Sequence, residues 1–345
     1  MNTTILKISL EKPEIEKLKI AASFLKENKL VAFPTETVYG LGATAFSEKA
    51  VRRIFEVKGR PPDNPLIVHV SSLEMASKLI KEDIDDFSRL TNILWPGPIT
   101  LIFNKENLIP DIVSGGLSTV ALRYPAHPVA QKLIELSGVP VAAPSANLSG
   151  KPSPTNEKHV MHDLVGKIDC IILSGKTVFG LESTIVDLSK NKPILLRPGP
   201  ISVERLKTLF PQLEIHSTVL GEEAKTPLAP GMKYRHYSPE IELILFDGEL
   251  TWATHEIINA TKKLEKKIVI LCSEETKNLY PEPSKTVSLG SRKKLYSVAA
   301  NLFDILLSLS KKDYDVALCE PFPETGIGLA IMNRLRKASW KKITK

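Results

Sequence analysis

Cysteine is scarce, at three residues in 345. Cys170, Cys272 and Cys319 lie far apart, each inside an apolar run (DCIIL, VILCS, VALCE), where a thiol serves as a small buried hydrophobe. The paired spacing of disulfide frameworks and zinc sites is missing, so neither is expected and no protein metal site is assigned. No stretch approaches the ~18 consecutive apolar residues of a membrane span, and the N-terminus meets charge before it completes a signal-peptide core. A cytoplasmic protein with no membrane association is therefore expected. Internal repeats and low-complexity segments are also lacking. What is present is ordinary globular material: 43% hydrophobic and 25% charged residues leave enough for a sizeable core. The length favours two domains over one. The formal net charge of +7 would suit an anionic ligand such as a nucleotide or RNA. Part of it sits in RLRKASWKKITK at the C-terminus, which reads as a solvated helix end.

Residues 10–29 space Ile15, Leu18, Ala22 and Leu25 on one helical face after Pro13, with Asn28 as terminator. Short apolar runs follow, separated by turns and helical stretches: LVAFP, LIVHV, ITLIF, TVALR, VPVAA, IDCIIL, STIVDL and PILLRPG. Ser47 and Ser72 are placed to cap EKAVRRIFEVK and LEMASKLI, and 127–136 supplies another helix. This predicts a mixed α/β domain over 1–210. Periodicity fails over 211–239, a stretch long enough for a functional loop. Over 240–345 the order strand, helix, strand, helix, strand, helix predicts a smaller parallel α/β domain of Rossmann-like type.

Three lookalikes mislead. SGKT at 174–177 lacks the first glycine of a phosphate loop, because that position is Cys170 and IILS intervenes. GLGATA at 40–45 and GIGLAI at 326–331 hold only two glycines of a dinucleotide fingerprint and read as turns or close-packing points. The informative segments lie elsewhere. PTETVYGLG at 34–42 follows a strand and offers Thr35, Thr37 and Tyr39. KGRPPDNPLIVHV at 58–70 presents Lys58 and Arg60 beside rigid prolines, a pairing able to clamp a polyphosphate or simply to cap a helix end. APSANLSGKPSPT at 143–155 supplies Ser145, Asn147 and Ser149. LRYPAHP at 122–128 and LLRPGP at 195–200 each end a strand in arginine, and GLESTIVD at 180–187 opens one with a hydroxyl.

These ordered motifs, with WPGPITL between them and APGMKYRHYSP after them, resemble the Sua5/YrdC/YwlC family in its long Sua5 form, over nearly the whole chain. The resemblance implies a YrdC-like twisted mixed sheet with a concave basic site, a lid segment over 211–239, and a C-terminal Sua5 domain. It implies a nucleotidyltransferase that converts L-threonine, bicarbonate and ATP to threonylcarbamoyl-adenylate and pyrophosphate, the first step toward the threonylcarbamoyl modification of adenosine 37 in tRNA. Thr35, His69, Arg123 and Ser183 would hold threonine. Arg60, Asn64, Thr119, Ala143, Ser145, Ser153, Arg197 and His236 would line the ATP site, and Lys58, Arg60, Ser145 and Asn147 form the catalytic KxR and SxN set. Mg²⁺ would arrive bound mainly to the ATP phosphates. The product would pass to downstream threonylcarbamoyl-transferase machinery, and weak RNA binding is a further partner expectation. His127, His159, His162, His216 and His255 read as structural or surface residues. Two rivals are a hydrogenase-maturation carbamoyltransferase, which would need acylphosphatase and paired CxxC segments, and a non-catalytic RNA-binding module using the same basic surface.

Overall fold

Runs such as ITLIF, CIIL and IVILC are buried along their whole length, the pattern of strands covered on both faces by helices. The computed structural model describes residues 1–220, 228–230, 237–282 and 284–345. Among these, the first sheet takes β1 (Thr4–Lys7), β2 (Val31–Phe33), β3 (Gly40–Thr44), β4 (Ile67–His69), β5 (Ile99–Asn104), β6 (Thr119–Arg123), β7 (Val141–Ala142), β8 (Cys170–Leu173), β9 (Thr184–Asp187), β10 (Ile194–Arg197) and β11 (Glu214–Ile215). Their spatial order is β1-β8-β2-β3-β7-β4-β6-β5-β9-β10-β11. Parallel and antiparallel pairs mix: β4 runs with β6, while β7 opposes β4 and β5 opposes β6.

The second sheet is parallel throughout: β12 (Glu242–Asp247), β13 (Ile268–Ser273), β14 (Lys285–Gly290), β15 (Val316–Cys319) and β16 (Lys341–Thr344), ordered β14-β13-β15-β12-β16. Helices Leu250–Lys263, Leu295–Ser308 and Gly328–Ala338 form its crossovers. The mixed domain and the smaller parallel domain are both present as expected.

Local chemistry accounts for the helices. Ser47 accepts the amide of Ala50 and Ser72 that of Met75, each as an N-cap. Gly59 ends the Glu48–Lys58 helix at φ 60°, the left-handed turn that glycine enters without penalty. The first helix is shorter than its sequence pattern, Ile15–Lys26, with Asn28 at φ 58° beyond it.

Three sequence expectations change. GLGATA is strand β3 instead of a turn; a Cβ on Gly42 would lie 2.6 Å from Val141 and 2.8 Å from Phe33, so the close-packing reading survives for that glycine. RLRKASWKKITK is not a solvated helix end. Arg334 is fully buried, Arg336 is shared between Asp247 and Glu324, and the last residues form β16. The first sheet also reaches into the stretch read as linker, since β11 pairs with β10 and Val219 joins the first core. All three cysteines are free and buried.

The two domains share a core. Val38 and Leu181 of the first pack with Phe303, Phe322 and Ile331 of the second. The loops that carry site residues 35–39 and 180–183 thus rest on the second domain, which turns its packing into support for the site.

Candidate active site

One cleft lies across β4 and β6, enclosing about 750 Å³ including the part open to solvent. Residues i and i+2 of a strand share a face, so Ile67 and His69 of β4 both line it, with Arg123 ending β6 directly opposite His69. Thr35, Lys58, Arg60, Ala143, Ser145, Asn147, Ser153, Ser183 and Arg197 complete that wall among the residues expected from sequence. Asn64 and Thr119 fall just outside the lining. The parallel register, Ile67 opposite Ala121, brings Thr119 level with Pro65 at the end guarded by Arg60. There Arg60 donates to the carbonyls of Asn64 and Pro65 at 3.3 and 3.2 Å. His236 lies outside the described residues.

At the Arg123 end the polar groups are bound to one another. Arg123 donates to the Thr37 hydroxyl at 2.8 Å and pairs with the Glu36 carboxylate at 2.7 Å, both side chains being buried. Thr35 hydrogen-bonds Thr37 and the carbonyl of Val38, closing the turn. Ser183 meets Thr100 at 2.8 Å and accepts from Arg197 at 3.1 Å. Burial and the Arg123 charge push His69 down to about 3, and burial pushes His127 down to about 4. Both imidazoles are therefore neutral near pH 7, and His69 offers one donor and one acceptor in place of a charge. The edge of Phe33 holds its ring at a centroid distance of 5.9 Å.

The phosphate-suited end is built around Lys58. Its ammonium is buried and donates to the carbonyls of Ser145 and Asn147. The carbonyl of Lys58 in turn takes the Ser149 amide. Burial and the neighbouring Arg60 hold the ammonium well below the usual lysine range. Ser145 donates to Asn147, whose amide donates to the carbonyls of Leu148 and Lys151. These bonds tie the loop's residues to one another and to Lys58, and Gly150, at φ 86°, lines the cleft beside them.

Sequence reasoning missed four residues here. Glu36 and Glu182 are buried carboxylates neutralised by arginines, Glu182 by Arg334 of the second domain at 3.0 Å. Tyr237 and Pro230, from the stretch 211–239, line the cleft, and the Pro230 carbonyl accepts from Arg197 at 3.3 Å. A signal for the two acids existed, since each sits beside an assigned hydroxyl in TET and EST. Among the described residues no cluster of three His, Cys, Asp or Glu side chains could hold a metal, and no helix is long and apolar enough to cross a membrane.

Residues 23–199 match the family model of the Sua5, YciO and YrdC proteins, described as telomere recombination, and residues 201–339 match one described as the C-terminal domain of threonylcarbamoyl-AMP synthase. The chain is 47% identical to the threonylcarbamoyl-AMP synthase of Pyrococcus abyssi over 97% of both chains. It is 42% identical to that of Bacillus subtilis, over 97% of this chain and 96% of the relative. The crystal structure of P. abyssi Sua5 complexed with L-threonine superposes with a TM-score of 0.92 at 46% identity, covering 99% of this chain and 100% of that one. E. coli YciO, 24% identical with a TM-score of 0.51 over 56% of this chain and 95% of its own, shares the fold of the first domain.

Proposed function

This chain belongs to the Sua5/YciO/YrdC family in its two-domain form, and from that premise we propose that it joins L-threonine, bicarbonate and ATP into threonylcarbamoyl-AMP, releasing pyrophosphate and water. The threonine nitrogen attacks bicarbonate or carbon dioxide. The resulting carbamate oxygen then attacks the α-phosphorus, and the bond to the β-phosphate oxygen breaks. Such a sequence needs no enzymic nucleophile, so positioning and charge stabilisation carry the catalysis.

The observation that carries the reading is the meeting, in one cleft, of Lys58, Arg60, Arg123 and Arg197 with hydroxyls and a neutral imidazole. Arg123 would take the threonine carboxylate, adding it to the Thr37 and Glu36 contacts it already makes. His69 and Ser183 would read the threonine hydroxyl, and Thr35 would shape the turn around them. Lys58 and Arg60 would hold the triphosphate beside Asn147 and Ser145, and Arg197 and Ser153 would complete the nucleotide's contacts within the same lining. A phosphate beside Lys58 would favour its charged form, reversing the effect of burial. Mg²⁺ fits as a metal carried by the nucleotide, because the carboxylates lining or backing the cleft, Glu182 and Glu36, are already neutralised by arginines. When bound it would supply charge neutralisation to the leaving pyrophosphate. The product is an activated acyl-adenylate, and a transferase acting on tRNA would consume it.

The test is pyrophosphate release by the full chain. It should require threonine and bicarbonate together, and release that needs neither would overturn the reading. Serine should be poorer by about 10 to 200-fold in kcat/KM, since one methyl in an apolar pocket is worth ~1 to 3 kcal/mol. Valine leaves the hydroxyl's buried partners unpaired and should fall by up to ~10⁴-fold. Equal use of valine and serine would remove the roles given to His69 and Ser183.

A further inference from the structure

Beyond the shared core, a buried side chain of the second domain bonds a carboxylate that lines the cleft. Arg334, on the helix Gly328–Ala338, is fully buried although it carries a charge. Its Nε donates to Oε2 of Glu182 at 3.0 Å, and its Nη1 donates to the carbonyl of Pro198 at 2.7 Å. That carbonyl directly follows the cleft residue Arg197. The other oxygen of Glu182, Oε1, accepts the hydroxyl proton of Ser153, and the Tyr237 hydroxyl also hydrogen-bonds this carboxylate. Both Glu182 and Ser153 are buried and line the cleft. Arg334 further lies 5.9 Å over the ring of Tyr237, which stacks on Phe303 of the second domain at 5.0 Å.

A chain of this kind fixes polarity. Burial alone would favour the protonated acid, but the charges of Arg334 and Arg197 keep Glu182 ionised, so it can only accept. Ser153 has one proton and gives it to Glu182. Its oxygen is then left with lone pairs alone on the cleft side. An oxygen of that kind repels a phosphate oxygen and suits an N–H or O–H donor of a nucleoside. We propose that Arg334 is a positioning residue for the nucleoside part of ATP, acting from the second domain through Glu182 to set Ser153 as an acceptor. The inference rests on the function proposed above in taking ATP as the ligand. It gives the second domain a task in the first domain's site, and it predicts that the task concerns the nucleoside and spares the phosphates.

Equilibrium binding to the full chain separates this from simple structural support. With Arg334→Met, the dissociation constant for MgATP measured by calorimetry should rise by about 10-fold or more, the cost of a lost charge-assisted network. Those for pyrophosphate and L-threonine should stay within about twofold. Ser153→Ala should weaken MgATP to a similar degree, and the double variant should be no weaker than the poorer single one, because both remove the same chain. Unchanged MgATP affinity in Arg334→Met, a parallel loss for all three ligands, or multiplying effects in the double variant would each overturn the proposal. If Arg334→Met does not fold, Arg334→Lys carries the test. It keeps a cation for Glu182 and loses the planar fork, so MgATP should weaken with pyrophosphate unaffected, and wild-type affinity would count against the proposal. Absence of threonine-dependent pyrophosphate release by the unaltered chain would remove the proposed reaction while these binding constants still decide the role of Arg334.

Discussion

His69 and His127 are held neutral inside the first domain, with native values of about 3 and 4. As pH falls below ~6.5 the unfolded chain takes up protons at these positions while the native chain does not. Stability is therefore full above that pH and is lost as pH drops toward the native values, at about 1.4 kcal/mol per pH unit for each group. Burial depresses His159 as well, in the same direction. Urea unfolding at about pH 7, 6 and 5 should show this slope, and His127→Gln should flatten it by about one proton; an unchanged slope would show that His127 charges freely in the native state. Lys58 and Arg60 divide differently. An exposed-cation view would leave stability intact on removing either, yet Lys58 is 3% exposed and holds two carbonyls. Lys58→Met should cost about 2 to 5 kcal/mol by stranding those acceptors, whereas Arg60→Met should cost ~1 kcal/mol or less. Both should lose at least ~100-fold in pyrophosphate release, so melting temperature, not activity, tells them apart. At this scale the sequence exposes chemistry-bearing types but not their partners. Thr35, Ser145 and Ser153 read as open hydroxyls because nothing in the motifs shows that Thr37, Asn147 and Glu182 already engage them.

Among elements, the strands that the sequence pattern does not display are instructive. β1, β11, β14 and β16 close the two sheets at their ends. Each has one neighbour and owes its strand state to the partner it meets; TILK alternates half-buried and exposed, and KKIT is largely exposed. Interior strands such as β5 and β13 are apolar at most positions on both faces, with Thr100 and Ser273 buried among them, and are visible without any partner. β3 is the interior exception, disguised by glycines that close packing demands. A consequence can be measured on β16. Trp340 donates its amide to Leu243 at 2.8 Å, and β16 then covers the edge of β12 from Ile244 to Asp247. Deleting residues 340–345 should bare that edge, lower the second domain's stability by about 1 to 3 kcal/mol and promote edge-to-edge association. Calorimetry and light scattering would register both; a monodisperse variant with an unchanged transition would mean that β16 adds nothing to the sheet.

At the scale of the whole molecule, the two domains approach closely at Gly180. Gly180 has φ 68°, and a Cβ there would stand 2.6 Å from the Ala300 backbone of the second domain. Gly180→Ala adds left-handed strain of ~1 to 2 kcal/mol to a clash with backbone that cannot rotate away. The expected result is partial separation of the domains, seen as faster limited proteolysis and a larger radius of gyration, together with weakened MgATP binding of the kind expected for Arg334→Met. A compact variant with normal affinity would show that the contact yields without cost. Domain number and order were readable from the alternation of runs, but their docking was not, because it joins residues that no local pattern relates. The Arg334 and Glu182 pair, 152 positions apart, also has a consequence in time. A ribosome adding ~5 to 20 residues per second delivers the arginine about 8 to 30 s after the acid, and only after the last helix clears the exit tunnel can the two meet. Until then the nascent first domain holds that carboxylate with Arg197 but not Arg334 beside it, so products that lack the Gly328–Ala338 helix should bind ATP more weakly even when their first domain has folded.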